Sequence, residues 1–475
     1  MTETTLRLPL PPRRSAGLKL LLVCGLALLM SLAALFVFAL LMDRSNRADQ
    51  VAQEVGGLMG GPQTFLGPVI AVPYSQGVVE AAPANAPDQT PRTGVQTGVW
   101  HVFPTRGRVE VATVSEVRSR SLFKVPVYTA DLTYSASFDL RDAGAEAPRG
   151  AVLDWSRAEI VLGASDARGA KSDIGLTIAG QTVALTPSTV EPTARLSLSD
   201  DAGDAVRVRG DDSLRLFGTR LPEALRTGGP FDVSGRAAFS GAQRVAVLAF
   251  AGTTEAVIRG DWPHPSYNGG FLPARQQAGA GDTGFNATWT VPFVARGVPV
   301  EGGADTLGRL GATSLGVTFV EPANPYQSVS RSLKYAPLFI GLVFLAYFLF
   351  ETTTGRRVHP AQYILVGMAQ VIFYMLLLSI AEHIGFDLAF AVAAVATVGL
   401  ISAYAGWTFD SRAQGVRALV AFTFLYGLIY VLMRLEDYAL LVGALSSFAA
   451  IAAVMYFTRN VDWYGVTGQD TRDIA

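Results

Sequence analysis

Two hydrophobic patterns divide the chain. Between residues 43 and 334 apolar positions come in short runs or alternate with polar ones, as in half-buried β-strands; on either side they run unbroken for lengths suited to membrane helices. The change falls across residues 331–387, which read RSLKYAPLFIGLVFLAYFLFE, then TTTGRRVHP, then AQYILVGMAQVIFYMLLLSIAEHIGFD. Two apolar runs, 335–350 and 361–381, flank a hydrophilic loop carrying Arg356, Arg357 and His359, and predict a membrane hairpin. The first run is at the short end for spanning, which takes roughly 17 to 25 residues. Lys334 and Glu351 are expected to reach outward from its ends.

Four more apolar runs complete the set, at 20–42, 388–409, 416–433 and 438–458. The run at 20–42 follows a basic leader, residues 1–19, with Arg7, Arg13, Arg14 and Lys19. It exceeds the roughly 7 to 15 residues of a cleaved signal core and is read as an uncleaved first helix, although Arg13-Arg14 resembles a twin-arginine signal. The predicted class is therefore an α-helical polytopic membrane protein of six transmembrane helices, with a large all-β domain at 43–334 inserted between the first two. Basic residues of the short segments (Arg356, Arg357, Arg412, Arg417, Arg459 and Arg472 with the leader) fall on one side, against Arg434 alone on the other. The positive-inside rule then places both termini, 1–19 and 459–475, in the cytoplasm and residues 43–334 outside.

Within 43–334, a short helical candidate at 46–58 is followed by strand signals. The clearest is 128–140, where Tyr128, Ala130, Leu132, Tyr134, Ala136, Phe138 and Leu140 alternate with Thr129, Asp131, Thr133, Ser135, Ser137 and Asp139. One face is core and the other wet. Further strands are expected at 69–74, 159–162, 174–185, 206–216, 231–239, 244–250, 287–294 and 313–320, forming a twisted antiparallel sheet or sandwich. The proline- and alanine-rich stretch AAPANAPDQTPRTG reads as a loop.

Half the residues are hydrophobic and 16% are charged, which places the chain among integral membrane proteins. The formal net charge of −1 carries no nucleic-acid signature. Its one cysteine, Cys24, lies in the first apolar run, so no intrachain disulfide holds the outer domain. The four histidines (His101, His264, His359, His383) lack metal-binding spacing. GAGDTG at 279–284 matches a dinucleotide-loop pattern, but without a flanking strand and helix it reads as a loop. No phosphate-binding G-x-x-x-x-G-K, nucleophile elbow or H-E-x-x-H occurs. The expectation is a protein that is not an enzyme, with no catalytic residues, metal or cofactor.

The candidate site residues are charges where helices meet the external interface: Glu382, His383 and Asp387 at one turn, Arg434, Glu436 and Asp437 at the other. In the structural reading Arg434 pairs with a carboxylate and ties two hairpins together. In the functional reading they handle protons or a ligand, with His383 the group that ordinarily titrates near neutrality. The helix interiors hold Gln370, Tyr374, Ser379, Ser402, Tyr404 and Tyr426 but no chain of acids and bases such as ion-coupled transporters use. Gly341, Gly367, Gly399, Gly427 and Gly443 are expected to permit close helix packing.

The chain resembles the CreD family of bacterial inner-membrane proteins, associated with cell-envelope integrity. The resemblance rests on GPVIAVPY, FKVPVYTADL, YNGGFLPARQ with GFNATW, and above all SLKYAPLFIGLVFLAYFLFE. It continues through HPAQYILVGMAQVIFYMLLLSIAEHIGFDLAF, LEDYALLVGALSSF and MYFTRNVDWY. It implies an inner-membrane protein with one N-terminal helix, a large periplasmic domain and a C-terminal helical bundle. Family members are linked to a two-component response and envelope stress without an established enzymatic activity, and no catalytic residues carry over.

The leading functional reading is a non-enzymatic envelope protein. Its periplasmic β domain binds an envelope protein or glycan, and its helices sit in the lipid bilayer. A channel or carrier for a small or lipidic molecule through the helical bundle is the second reading. A sensor relaying a periplasmic state to a cytoplasmic partner is the third.

Overall fold

The computed structural model describes residues 16–80, 92–196, 213–226, 228–278, 284–320, 325–354, 358–434 and 439–459. Outside these lie the leader to residue 15, most of the proline- and alanine-rich stretch, residues 206–212 of one expected strand, residues 279–283 of GAGDTG, Arg356 and Arg357, and Glu436 and Asp437. The chain divides into two compact units, Asp49–Pro322 and the pair of segments Met1–Ala48 with Ala323–Ala475.

The first unit is a β-sandwich of an eleven-stranded and an eight-stranded sheet. The expected strand at 128–140 is the later part of Phe123–Asp139. Tyr128, Ala130, Leu132, Tyr134, Ala136 and Phe138 are all buried in the core between the sheets. Thr129, Asp131, Thr133 and Ser135 are exposed on the other face, so the period of two decides which side is dry. Phe250 is wholly buried between Gly67 and Gly107, where a Cβ on either glycine would come within 2.5 Å of its ring.

Three details differ from the sequence expectation. The sheets are not purely antiparallel: Gln63–Glu80 pairs with Arg244–Leu248, and Arg106–Arg120 with Thr253–Gly260, in parallel. Alternation specifies a strand's faces but not the direction of its neighbour. The stretch 174–185 is a hairpin, Gly175–Ile178 and Gln181–Ala184, because Ala179 and Gly180 both take positive φ (50° and 81°). The domain is also not all-β: the end of the first helix belongs to it, as do Phe293–Arg296 and Ala304–Arg309.

That first helix runs unbroken over Ala16–Leu58, 43 residues, joining the expected span at 20–42 to the helical candidate at 46–58. No glycine or proline interrupts DRSNRADQVAQEV, and at 1.5 Å per residue the helix is about 64 Å long. Ala52 and Val55 in its last turns, with Met59 just beyond its end, pack on Val125, Val127 and Ala242, and Glu54 pairs with Arg120 at 2.6 Å.

Among the described residues of the second unit, four helices are long and apolar enough to cross a bilayer: the first helix, Pro360–Ile384, Phe386–Thr408 and Arg412–Arg434. Pro325–Lys334 and Ala336–Thr354 meet at a 53° bend and make a fifth if taken as one span. Ala439–Thr458, the sixth expected run, is a shorter apolar helix. His359 caps Pro360–Ile384: its Nδ1 accepts from Ala361 N at 3.2 Å while Gln362 Oε1 accepts from His359 N at 3.0 Å. Gly385 alone, at φ 81°, turns the chain into the next helix. Gly367 packs tightly, since a Cβ there would strike Met30 and Phe344; Gly341, Gly399 and Gly427 have nothing within 4 Å, so close packing does not explain them.

Candidate functional site

The wet face of Phe123–Asp139 lies at the centre of a polar trough on the outside of the eight-stranded sheet. Strand register builds it rung by rung. Thr253, Arg106, Ser137 and Asp232 stand side by side across four strands, and Glu255, Arg108, Ser135, Ser234 and Thr177 across five. These residues line a depression of about 940 Å³. Small hydroxyl side chains form its middle, which leaves room above the sheet, and longer charged ones rise at one side. Arg108 bonds Glu110 at 2.8 Å and Glu255 at 3.2 Å, and the bond to Glu110 holds its pKa above the ordinary arginine value. Ser137 Oγ donates to Asp232 Oδ1 at 2.6 Å. The lining carries two arginines, one aspartate and one glutamate, with no aromatic side chain. Such a surface suits a neutral or zwitterionic ligand held by hydrogen bonds, and offers no ring for a sugar to stack on.

The charges singled out at the helix ends separate into two groups in the helical unit. Arg434 forms an ion pair with Asp387, and Tyr430 donates from its hydroxyl to Asp387 Oδ1 at 3.1 Å. The pair ties the end of Arg412–Arg434 to the start of Phe386–Thr408. Glu382 is not part of it. Its carboxylate accepts from the Tyr326 hydroxyl at 3.1 Å, on a bent helix that the sequence reading did not anticipate. His383 contacts the carbonyl of Ser379 at 3.0 Å, one turn back on its own helix. Both members of the Arg434–Asp387 pair are more than half exposed, so Arg434→Ala is expected to lower stability by no more than about 1 kcal/mol. Thermal unfolding in detergent checks this.

The better-built charge site lies elsewhere. Glu351, expected to reach outward, is 6% exposed. It forms an ion pair with Lys19 and accepts from Val358 N and the Tyr363 hydroxyl, both at 2.8 Å. Lys19 also donates to the Val358 carbonyl at 3.2 Å. The clamp fastens the first helix to the turn between two later ones. The helix interiors also hold a polar seam. Gln370, Tyr374, Tyr426, Thr397 and Ser402 are all buried, and Tyr426 donates to Gln370 Oε1 at 3.2 Å. These residues appear in the sequence as isolated polar positions; their shared interior is a product of helix packing.

A helical unit rich in membrane-spanning segments, joined to a two-sheet domain with an open polar face, defines a membrane protein carrying a β domain. The family model for "Inner membrane protein CreD" matches residues 15–464. The chain is also 31% identical over 446 residues to the inner membrane protein CreD of Escherichia coli strain K12, covering 93% of this chain and 92% of that one. The chain belongs to the CreD family.

Proposed function

We infer that this protein acts in the cell envelope as a non-enzymatic binding protein. In this reading six helices hold it in the inner membrane, both termini are cytoplasmic, and residues 43–334 face the periplasm. The trough takes an envelope protein or glycan, and its occupancy supports envelope integrity. The observation that carries the reading is the pair of hydroxyl-and-charge rungs crossing the sheet from Thr253 to Thr177. Side chains on this face add nothing to the core, and such an open, ordered polar surface is available for recognition.

Filling the trough tests the reading. Ser135→Trp with Ser234→Trp places two large rings over the central strands. The double variant is expected to accumulate and fold like the parent, because both positions face away from the core. It should fail to restore resistance to envelope-disrupting detergent in cells lacking the gene. Full restoration by a normally folded double variant would contradict the proposal.

A further inference from the structure

Arg244 opens the strand Arg244–Leu248 on the face of the eleven-stranded sheet turned away from the core. Val245 and Val247 join the core, while the register partner of Arg244 on the neighbouring strand is Thr318. The guanidinium lies over Gly316, where a Cβ would come within 2.8 Å of Asn268 Oδ1 and 3.1 Å of Arg244 Nη2. Glycine thus forms the floor of a small recess. Arg244 Nε donates to Asn268 Oδ1 at 3.0 Å, and Asn268 Nδ2 donates to Thr318 Oγ1. On the two sides of the fork, Nη1 stands 3.5 Å from Thr64 Oγ1 and Nη2 3.4 Å from Ser314 Oγ, at the outer limit of hydrogen bonding.

Among the described residues, each side-chain hydrogen-bond partner of this cation is neutral. Among the described residues no carboxylate pairs with Arg244, whereas Arg108, Arg120, Arg141 and Arg168 each have one. Burial lowers its pKa from the ordinary value, as expected for a cation withdrawn from water without a counter-ion. Arg296 also lacks a carboxylate but is sealed, 3% exposed, among the carbonyls of Ala249, Val298 and Pro299 and against the Phe103 ring. Arg244 and Thr64 are half-buried, and Ser314 beside them is 8% exposed. The Arg244 fork presents four Nη–H donors with only long contacts, flanked by two hydroxyls.

We propose that Arg244, Thr64 and Ser314 form a binding site for a phosphoryl group. A phosphoryl group offers two oxygens to the guanidinium edge and further oxygens to hydroxyls on either side, a donor arrangement that a planar carboxylate fills less completely. The site is on the opposite sheet from the trough and does not depend on it. Inorganic phosphate and a phospholipid headgroup present the same chemistry, and the test separates them.

The full-length protein, purified in a neutral detergent, is melted while inorganic phosphate or water-soluble dihexanoyl phosphatidic acid is titrated in, with sodium chloride matched for ionic strength. A saturable rise in melting temperature with either probe, absent with chloride, is expected. Arg244→Gln should weaken the apparent affinity about tenfold or more, the effect of losing a charged bidentate donor. Thr64→Ala with Ser314→Ala should weaken it several-fold and serves as the deciding variant if Arg244→Gln does not fold. A response to inorganic phosphate assigns a free phosphate site; a response to the lipid alone assigns a headgroup site. No saturable response to either probe, or a response unchanged in both variants, overturns the proposal.

Discussion

Glu351→Ala is expected to destabilise the detergent-solubilised protein by about 3 kcal/mol, the low end of the range for removing one member of a buried ion pair, since Lys19 is itself 30% exposed. The substitution removes a shared acceptor from three donors, Val358 N, the Tyr363 hydroxyl and the Lys19 ammonium, of which Lys19 keeps the Val358 carbonyl. A double-mutant cycle with Lys19→Met separates the pair from the rest of the clamp. If the two charges act on each other, the double variant melts no lower than Glu351→Ala alone. Proteolysis gives a second readout, because loss of the clamp should expose the turn around Val358 to cleavage. A Glu351→Ala protein that melts and resists protease like the parent would show that the clamp does not hold the first helix.

Trp289→Ala is expected to cost about 3 to 5 kcal/mol, the range for deleting a large buried aromatic side chain. Trp289 is 1% exposed. Its ring meets Tyr267 edge-on with centroids 6.1 Å apart, and its Nε1 donates to the Phe271 carbonyl at 3.1 Å. Alanine would leave a cavity between the sheets and a carbonyl without its donor. Ser135→Trp, a larger change in volume on the other face, is expected to stay within about 0.5 kcal/mol of the parent. Denaturant unfolding followed by tryptophan fluorescence, with circular dichroism for the variant that loses the indole, checks the contrast. Comparable losses at the two positions would mean that the faces of the sheet are wrongly assigned.

That contrast rests on what the sequence makes legible. The faces of Phe123–Asp139 could be read in advance because a strand with one dry side must alternate. The membrane helices were legible from unbroken apolar length. Partner choice was not: no local feature of Arg106–Arg120 specifies that it runs parallel to Thr253–Gly260 across more than a hundred residues of chain. Charges at helix ends could be found but not sorted. Arg434 and Asp387 do pair, while Glu382 turns to Tyr326, whose helix carries too few apolar residues to stand out. Glu351 illustrates the same limit, because a carboxylate at the end of an apolar run looks identical whether it snorkels to water or folds inward. Its charged partner is Lys19, 332 residues earlier. Arg244 gave no signal either, since nothing local distinguishes an arginine facing neutral hydroxyls from one facing an acid.

The central claim is that the outer face of the eight-stranded sheet is a binding surface. Photo-crosslinking in intact cells tests it most directly, with probes at Ser135, Ser137 and Ser234 in the trough and at Asp387 and Arg434 in the helical unit. A discrete protein or glycan adduct is expected from the trough probes, and none of that size from the helical ones. Lipid or small-molecule adducts confined to Asp387 and Arg434, with the trough probes silent, would contradict it and move the function into the helical bundle.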